Sequence, residues 1–210
     1  MKPSILECMT ALRNGRPVLC LIDNPSGVRR GFLLLAAENA TPAGVNVLAR
    51  EGRGVICAGI PAGIAKRLGL EPMVPHRFAG QDAVRSVCTV SVDARYGTTT
   101  GISAGDRAVT LRLLANPGST RDDFVQPGPL FPYVVHEQGV LGRAEAAEAA
   151  ADLARLAGLA PVGAFCGVLD GDGHVAGAAY LDELAARLGV PVVNVADLVR
   201  YRLYHDAYIK

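Results

Sequence analysis

Two uninterrupted apolar runs near the start of the chain, "PVLCLI" at 17–22 and "FLLLAA" at 32–37, constrain its fold more than any other feature. Neither alternates apolar with polar residues, so each reads as a strand buried on both faces, which requires helices packed on the sheet. The chain supplies them. Ser4 and Glu7 form a capping box ahead of a short amphipathic segment through Arg13, with Gly15 to close it. Thr41 and Pro42 open a helix running to about Glu51, and Pro61 and Gly69 bracket a second over "PAGIAKRLG". "GVICAGI" reads as a strand, "VCTVSVDA" alternates as one, and Ser103 with Asp106 caps a helix towards Leu114. After a Pro/Gly-rich segment at 116–129 come a strand near 131–137, an alanine-rich helix near 143–157 and a strand at "GAFCGVL". "DGDG" at 170–173 reads as a hairpin turn, because it lacks the ligand pattern of a calcium loop. "YLDELAARLG", "PVVNV" and "ADLVRYRLY" then give helix, strand, helix. With no linker, repeat or low-complexity tail, the expected fold is α+β: a single domain over residues 1–210, one mixed sheet flanked by helices.

Charge excludes some partners. Lysine and arginine total 21 against 20 acids, so nothing draws the chain to nucleic acid or to an anionic membrane, and any charge recognition is local. No apolar run approaches the roughly 18 residues of a membrane span. Five cysteines, with no C-x-x-C pair, suit reduced thiols and a cytoplasmic location.

Two segments look chemical. "NPSGVRRGF" at 24–32 is built of turn formers but carries Arg29 and Arg30; as a plain turn, both arginines would be solvated. "YGTTTGISAGDRAVT" at 96–110 leads a Thr/Gly-rich turn into a helix N-terminus, an arrangement that offers N–H groups and hydroxyls to a phosphate. It is not a P-loop, and Ser103 there can equally be only a cap.

Taken in order, "GRGVICAGI" (52–60), "CTVSVDA" (88–94), "GTTTGISAGDRAVT" (97–110), "PGPLFP" (127–132), "GVLGRAEAAEAAADLARLAGL" (139–159) and "VGAFCGV" (162–168) make a specific set. Over nearly its whole length the chain resembles the 3,4-dihydroxy-2-butanone 4-phosphate synthase family of riboflavin biosynthesis. That resemblance implies an α+β homodimer with active sites near the subunit interface. It also implies conversion of D-ribulose 5-phosphate by enolisation, rearrangement and loss of formate, with magnesium and no organic cofactor.

The family's acidic loop, of the kind D-D-E-x-R-E-N-E-G-D, is here "DNPSGVRRGF". Gly27 stands for its arginine, Val28 for its metal-binding glutamate, Arg30 for its second glutamate and Phe32 for its aspartate. The family's G-H-T-E is "EAAE", which puts Ala146 at the second metal ligand and Ala147 at the threonine; Pro129 replaces the histidine of P-G-H, and Gly167 replaces a glutamate. Arg143, Thr99, Thr100, Ser103, Asp106 and Arg107 match the substrate-holding motifs, and Cys57 matches a cysteine near the active site.

From these departures the expectation is a divergent member, without metal or cofactor, that has lost the magnesium-dependent reaction. It would run a metal-independent dehydration, isomerisation or cyclisation in specialised metabolism, on an anionic or polar small molecule. Substrate binding would fall to Arg29, Arg30, Thr99, Thr100, Ser103, Asp106, Arg107 and Arg143, and acid–base or nucleophilic work to Asp23, Glu38 and Cys57. Glu145, Glu148 and Asp152 read as a solvated acidic stripe, and His136 as structural. A non-catalytic binding or partner subunit and retained synthase activity are the alternatives.

Overall fold

The computed structural model describes residues 5–24, 26–74 and 87–206. Helix α1 (Ile5–Arg13) leads into the hairpin of β1 (Val18–Asp23) and β2 (Arg29–Ala36). α2 (Pro42–Val47) continues as a π-helical turn over 48–52, and β3 (Arg53–Ile60) and α3 (Ala62–Arg67) follow. Next come β4 (Val87–Cys88), β5 (Val92–Ala94), α4 (Ala104–Ala115) and β6 (Phe124–Val134). The chain continues as α5 (Ala146–Leu156), β7 (Gly163–Val168), α6 (Ala178–Leu188), β8 (Val192–Asn194) and α7 (Val195–Asp206). Ser4 of the expected capping box lies outside the described residues.

The sheet runs β4-β6-β3-β7-β2-β1-β8, with β5 also beside β6. β3/β6 and β1/β8 are parallel and the other pairs antiparallel, so the expected mixed sheet is observed. Alternation along the strands sends side chains to two cores. On one face Leu33, Leu35, Ile56 and Ile60 pack with Leu111 and Leu114 of α4 and Leu181 and Leu184 of α6. On the other, Cys20, Ile22 and Leu34 pack with Ala149, Ala150 and Leu153 of α5 and Leu198 of α7. A Cβ on Gly59 would collide with the Ala147 carbonyl, and one on Gly163 with the backbone of Ala150. α5 therefore lies almost on the sheet, and its alanines are spent on this contact rather than left for a partner subunit.

Two boundaries differ from expectation for one reason. β6 begins inside the Pro/Gly-rich segment, and "VCTVSVDA" is split into β4 and β5. Pro127, Pro129 and Pro132 of β6 have no N–H to give to a ladder, so the pairing shifts register between Val92 and Asp93. Between the two short strands, the Thr89 hydroxyl and N–H both donate to Pro132 O, at 3.2 and 2.9 Å.

Candidate active site

The β1–β2 hairpin brings the "NPSGVRRGF" turn to one end of the sheet, where Asn24 Oδ1 accepts the Val28 N–H at 2.8 Å. From there Arg29, Gly31 and Leu33 face α6, since a Cβ on Gly31 would strike Leu181, while Arg30, Phe32 and Leu34 face α5. The two arginines thus lie on opposite faces. Arg29 is committed to Asp23, its register partner, with Nε donating to Oδ1 at 2.7 Å and Nη2 to Oδ2 at 3.2 Å. Asn194 Nδ2 also donates to Asp23 Oδ2, at 2.7 Å. Hydrogen bonds from Arg29, then from Asn194, hold the Asp23 carboxyl below its ordinary value. Expected as an anion ligand and as a base, Arg29 and Asp23 are here each other's partners in a half-exposed ion pair.

Arg30 is placed differently. Its Nη2 donates to both oxygens of Glu145 at 3.0 and 3.1 Å, and the guanidinium carbon lies 5.7 Å from the centre of the Phe32 ring. Both partners keep more than a third of their side-chain exposure, so the pair fixes position more than it adds stability. Nε and Nη1 of Arg30 donate to none of the described residues.

Glu145 is the N-cap of α5, and Arg143 sits two residues before it. Arg143 donates from Nε to Glu148 Oε1 at 2.9 Å and from Nη2 to the same oxygen and to Val134 O. Glu148 is fully buried, also accepts the His136 N–H at 3.0 Å, and leaves Oε2 without a partner among the described residues. Asp152, 5% exposed, accepts from Val140 N and Arg202 Nη1. Of the acidic stripe expected to be solvated, Glu148 and Asp152 instead form an inward face that fastens the 139–143 loop, while Glu145 stays half-exposed.

Cys57 of β3 lies beside Phe165 and Phe131 in register, 7% exposed, and its thiol donates to Val55 O at 3.7 Å. Burial, then the neighbouring Cys88 and Cys166, push this thiol up to about 12, which favours its neutral form. Glu38 follows the far end of β2, about 20 Å along the strand from Arg30. Its Oε2 accepts the Ala160 N–H at 2.6 Å and it lines a separate open cavity of about 700 Å³ with Arg67 and Arg112. It cannot act with Arg30 or Arg143.

The Thr/Gly turn folds around Asp106. Thr99 Oγ1 and Gly101 N donate to Asp106 Oδ2 at 2.9 and 3.1 Å, and Ser103 Oγ caps α4 by accepting Asp106 N at 3.0 Å. Burial alone would raise the Asp106 carboxyl, but these hydrogen bonds hold it low. Asp106, Thr99 and Ser103 thus brace the turn, and Thr100 is exposed on it. α4 packs on the face opposite α5, and no hydrogen bond or ion pair among the described residues joins this turn to Arg143. Arg107 is desolvated, its Nε buried without a partner, and burial lowers its pKa.

The model of the 3,4-dihydroxy-2-butanone 4-phosphate synthase family matches residues 6–201. The chain belongs to this family. It is 39% identical over 209 residues to the riboflavin biosynthesis protein RibBA of Aquifex aeolicus, covering 99% of this chain and 50% of that protein. The bifunctional, chloroplastic riboflavin biosynthesis protein RIBA 1 of Arabidopsis thaliana is 40% identical over 207 residues, 99% of this chain and 38% of that one. The chain spans half or less of the length of these relatives. Among solved structures, a cation-free 3,4-dihydroxy-2-butanone 4-phosphate synthase superposes with TM-score 0.87 at 30% identity, covering 98% and 100% of the two chains. The Candida albicans synthase gives 0.84 at 34% identity, covering 96% and 98%. A synthase in complex with two magnesium ions gives 0.82 at 33%, covering 94% and 95%.

These matches overturn the expectation that the chain has left the family's reaction for a dehydration, isomerisation or cyclisation elsewhere in metabolism. Identity near 39% with riboflavin biosynthesis proteins, spread over almost every residue, favours the family's own chemistry. The family is enzymatic, and no helix among the described residues is long and apolar enough to cross a membrane.

Magnesium needs several hard oxygen ligands in near-octahedral geometry. Val28 and Ala146, at the two positions the resemblance assigns to ligands, carry only hydrocarbon. Both oxygens of Asp23 and of Glu145 already accept from guanidinium groups. This donor set does not fit the ion.

Proposed function

We propose that the chain acts on a pentulose phosphate and forms 3,4-dihydroxy-2-butanone 4-phosphate, the reaction for which its relatives are named. The observation that carries this reading is Arg143, which keeps its family position and is held rigid by buried Glu148 at the mouth of α5. A guanidinium whose Nη1 donates to none of the described residues, beside the positive end of an eleven-residue helix, suits a phosphate dianion. At the same helix end Glu145 is a half-exposed carboxylate, and it is the group proposed to move the proton in enolisation, with Arg30 holding it in place. Cys57, Phe165 and Phe32 supply a largely apolar floor.

In this reading the ligand is anionic and residues 1–210 act as one domain in a homodimer. Val55, Tyr96 and Ile102 are more than half exposed, apolar surface that a symmetric partner would cover. The five free thiols suit a reducing compartment such as the cytoplasm.

The decisive experiment is formate release from D-ribulose 5-phosphate by the purified chain. Turnover that falls about a hundredfold or more in Glu145→Gln, with folding intact, is the expected result. Binding of the sugar phosphate without any formate would overturn the reading and leave a binding member of the fold.

A further inference from the structure

The disagreement between this donor set and magnesium has a positive side. Beside Ala146, at the start of α5, Glu145 holds a guanidinium that no other structural demand among the described residues consumes. Arg30 uses one nitrogen, Nη2, for Glu145, and its other two donate to none of the described residues. Its plane is seated near the Phe32 ring at cation–π distance. The ring lies beside Gly167, its register partner, where a Cβ would stand 3.7 Å from Phe32 Cε1 in ordinary contact and only a longer side chain would meet the ring. A larger, acidic side chain at either position would compete for this space and for the guanidinium.

We propose that the Arg30 guanidinium, pinned by Glu145 and backed by Phe32, supplies the positive charge that the family takes from magnesium, so that this chain binds its sugar phosphate without a divalent cation. This rests on the reading of the site as a sugar-phosphate site. The physical argument is exclusion. A divalent ion drawn to Glu145 would have to displace the Arg30 Nη2 that both its oxygens share and then sit within a few ångströms of a like charge. Arg30 meets the same need with fixed N–H donors and no dehydration cost for an ion.

The test uses the full chain and two probes. Manganese, followed by the loss of its free-ion paramagnetic signal, is expected not to bind stoichiometrically. The affinity for D-ribulose 5-phosphate, measured by calorimetry, is expected to be the same in EDTA as in excess magnesium. Arg30→Ala is expected to weaken that affinity about ten- to a hundredfold under both conditions. Arg30→Lys, which keeps charge and fold but loses the fork, is expected to recover only part of it. Stoichiometric manganese binding, or affinity that disappears in EDTA, overturns the proposal, as does an Arg30→Ala variant that folds and binds normally. If these binding results hold while no formate is released, the guanidinium assignment stands and the synthase reading falls. Formate release that requires magnesium gives the reverse.

Discussion

Phe32 lies over Gly167, its register partner across β2 and β7, with its ring at ordinary contact distance from where a Cβ at 167 would stand. The contact is loose enough to be tested from both sides. Gly167→Ala should change urea stability by less than about 0.5 kcal/mol, since its Cβ meets only ordinary van der Waals distance. Gly59→Ala, whose Cβ would collide with the Ala147 backbone, should cost about 1–3 kcal/mol or more. Equal losses would show that α5 does not ride on the sheet as described.

Arg143 and Glu148 form a buried pair in which one partner is fully enclosed. Removing either leaves the other charge uncompensated, so Glu148→Ala should cost about 3–5 kcal/mol in a denaturant titration. Arg143→Ala should lose sugar-phosphate affinity as well as stability. An Arg143→Ala protein that binds the sugar phosphate normally would remove Arg143 from the site.

Arg29 and Arg30 are sequence neighbours with different work. Arg29→Ala breaks only an exposed pair with Asp23 and should leave sugar-phosphate affinity within about twofold of the parent. Calorimetry beside Arg30→Ala gives the contrast. Matching losses in the two variants would mean that both arginines reach the ligand.

Glu51 is buried, and hydrogen bonds from Arg187, then Arg50, hold its carboxyl below the ordinary value despite its burial. A carboxylate lowered on folding stabilises the protein above its unfolded pKa of about 4.3, and the contribution is lost as pH falls through the lower folded value. Glu51→Gln should therefore cost about 1.5 kcal/mol at pH 7 and progressively less below about pH 4. A difference that grows on acidification would contradict the sign.

Burial pushes the Cys8, Cys20 and Cys57 thiols up to about 12. Thiols raised on folding contribute stability that is full below their unfolded pKa of about 8.5 and is lost as pH rises towards the folded value. Stability should thus decline from about pH 9 upward. At pH 8 half-exposed Cys88 should react with a disulfide reagent ahead of these three. Fast reaction of Cys57 in the folded protein would show that it is an activated thiol after all.

The sequence by itself determined the mixed sheet, because apolar runs such as "FLLLAA", too short for a helix and bounded by turn formers, read as strands covered on both faces, and helix caps such as Thr41-Pro42 and Ser103 mark their own starts. It also carried the family, because ordered motifs survive where single residues change. The split of "VCTVSVDA" into two strands along β6 was not legible, since which proline of β6 loses a ladder bond depends on the strand beside it. Side-chain partnership was equally out of reach. Arg29 and Arg30 look alike in sequence, and only the two-residue period of a paired strand sends one to Asp23 and the other to Glu145. Glu148 and Asp152 look like surface acids until α5 is laid on Gly59 and Gly163, which brings the Arg143 and Arg202 guanidiniums onto them. Contacts between residues far apart in the chain are set by packing against a common sheet, and only the tertiary structure decides which charges that packing leaves for a ligand.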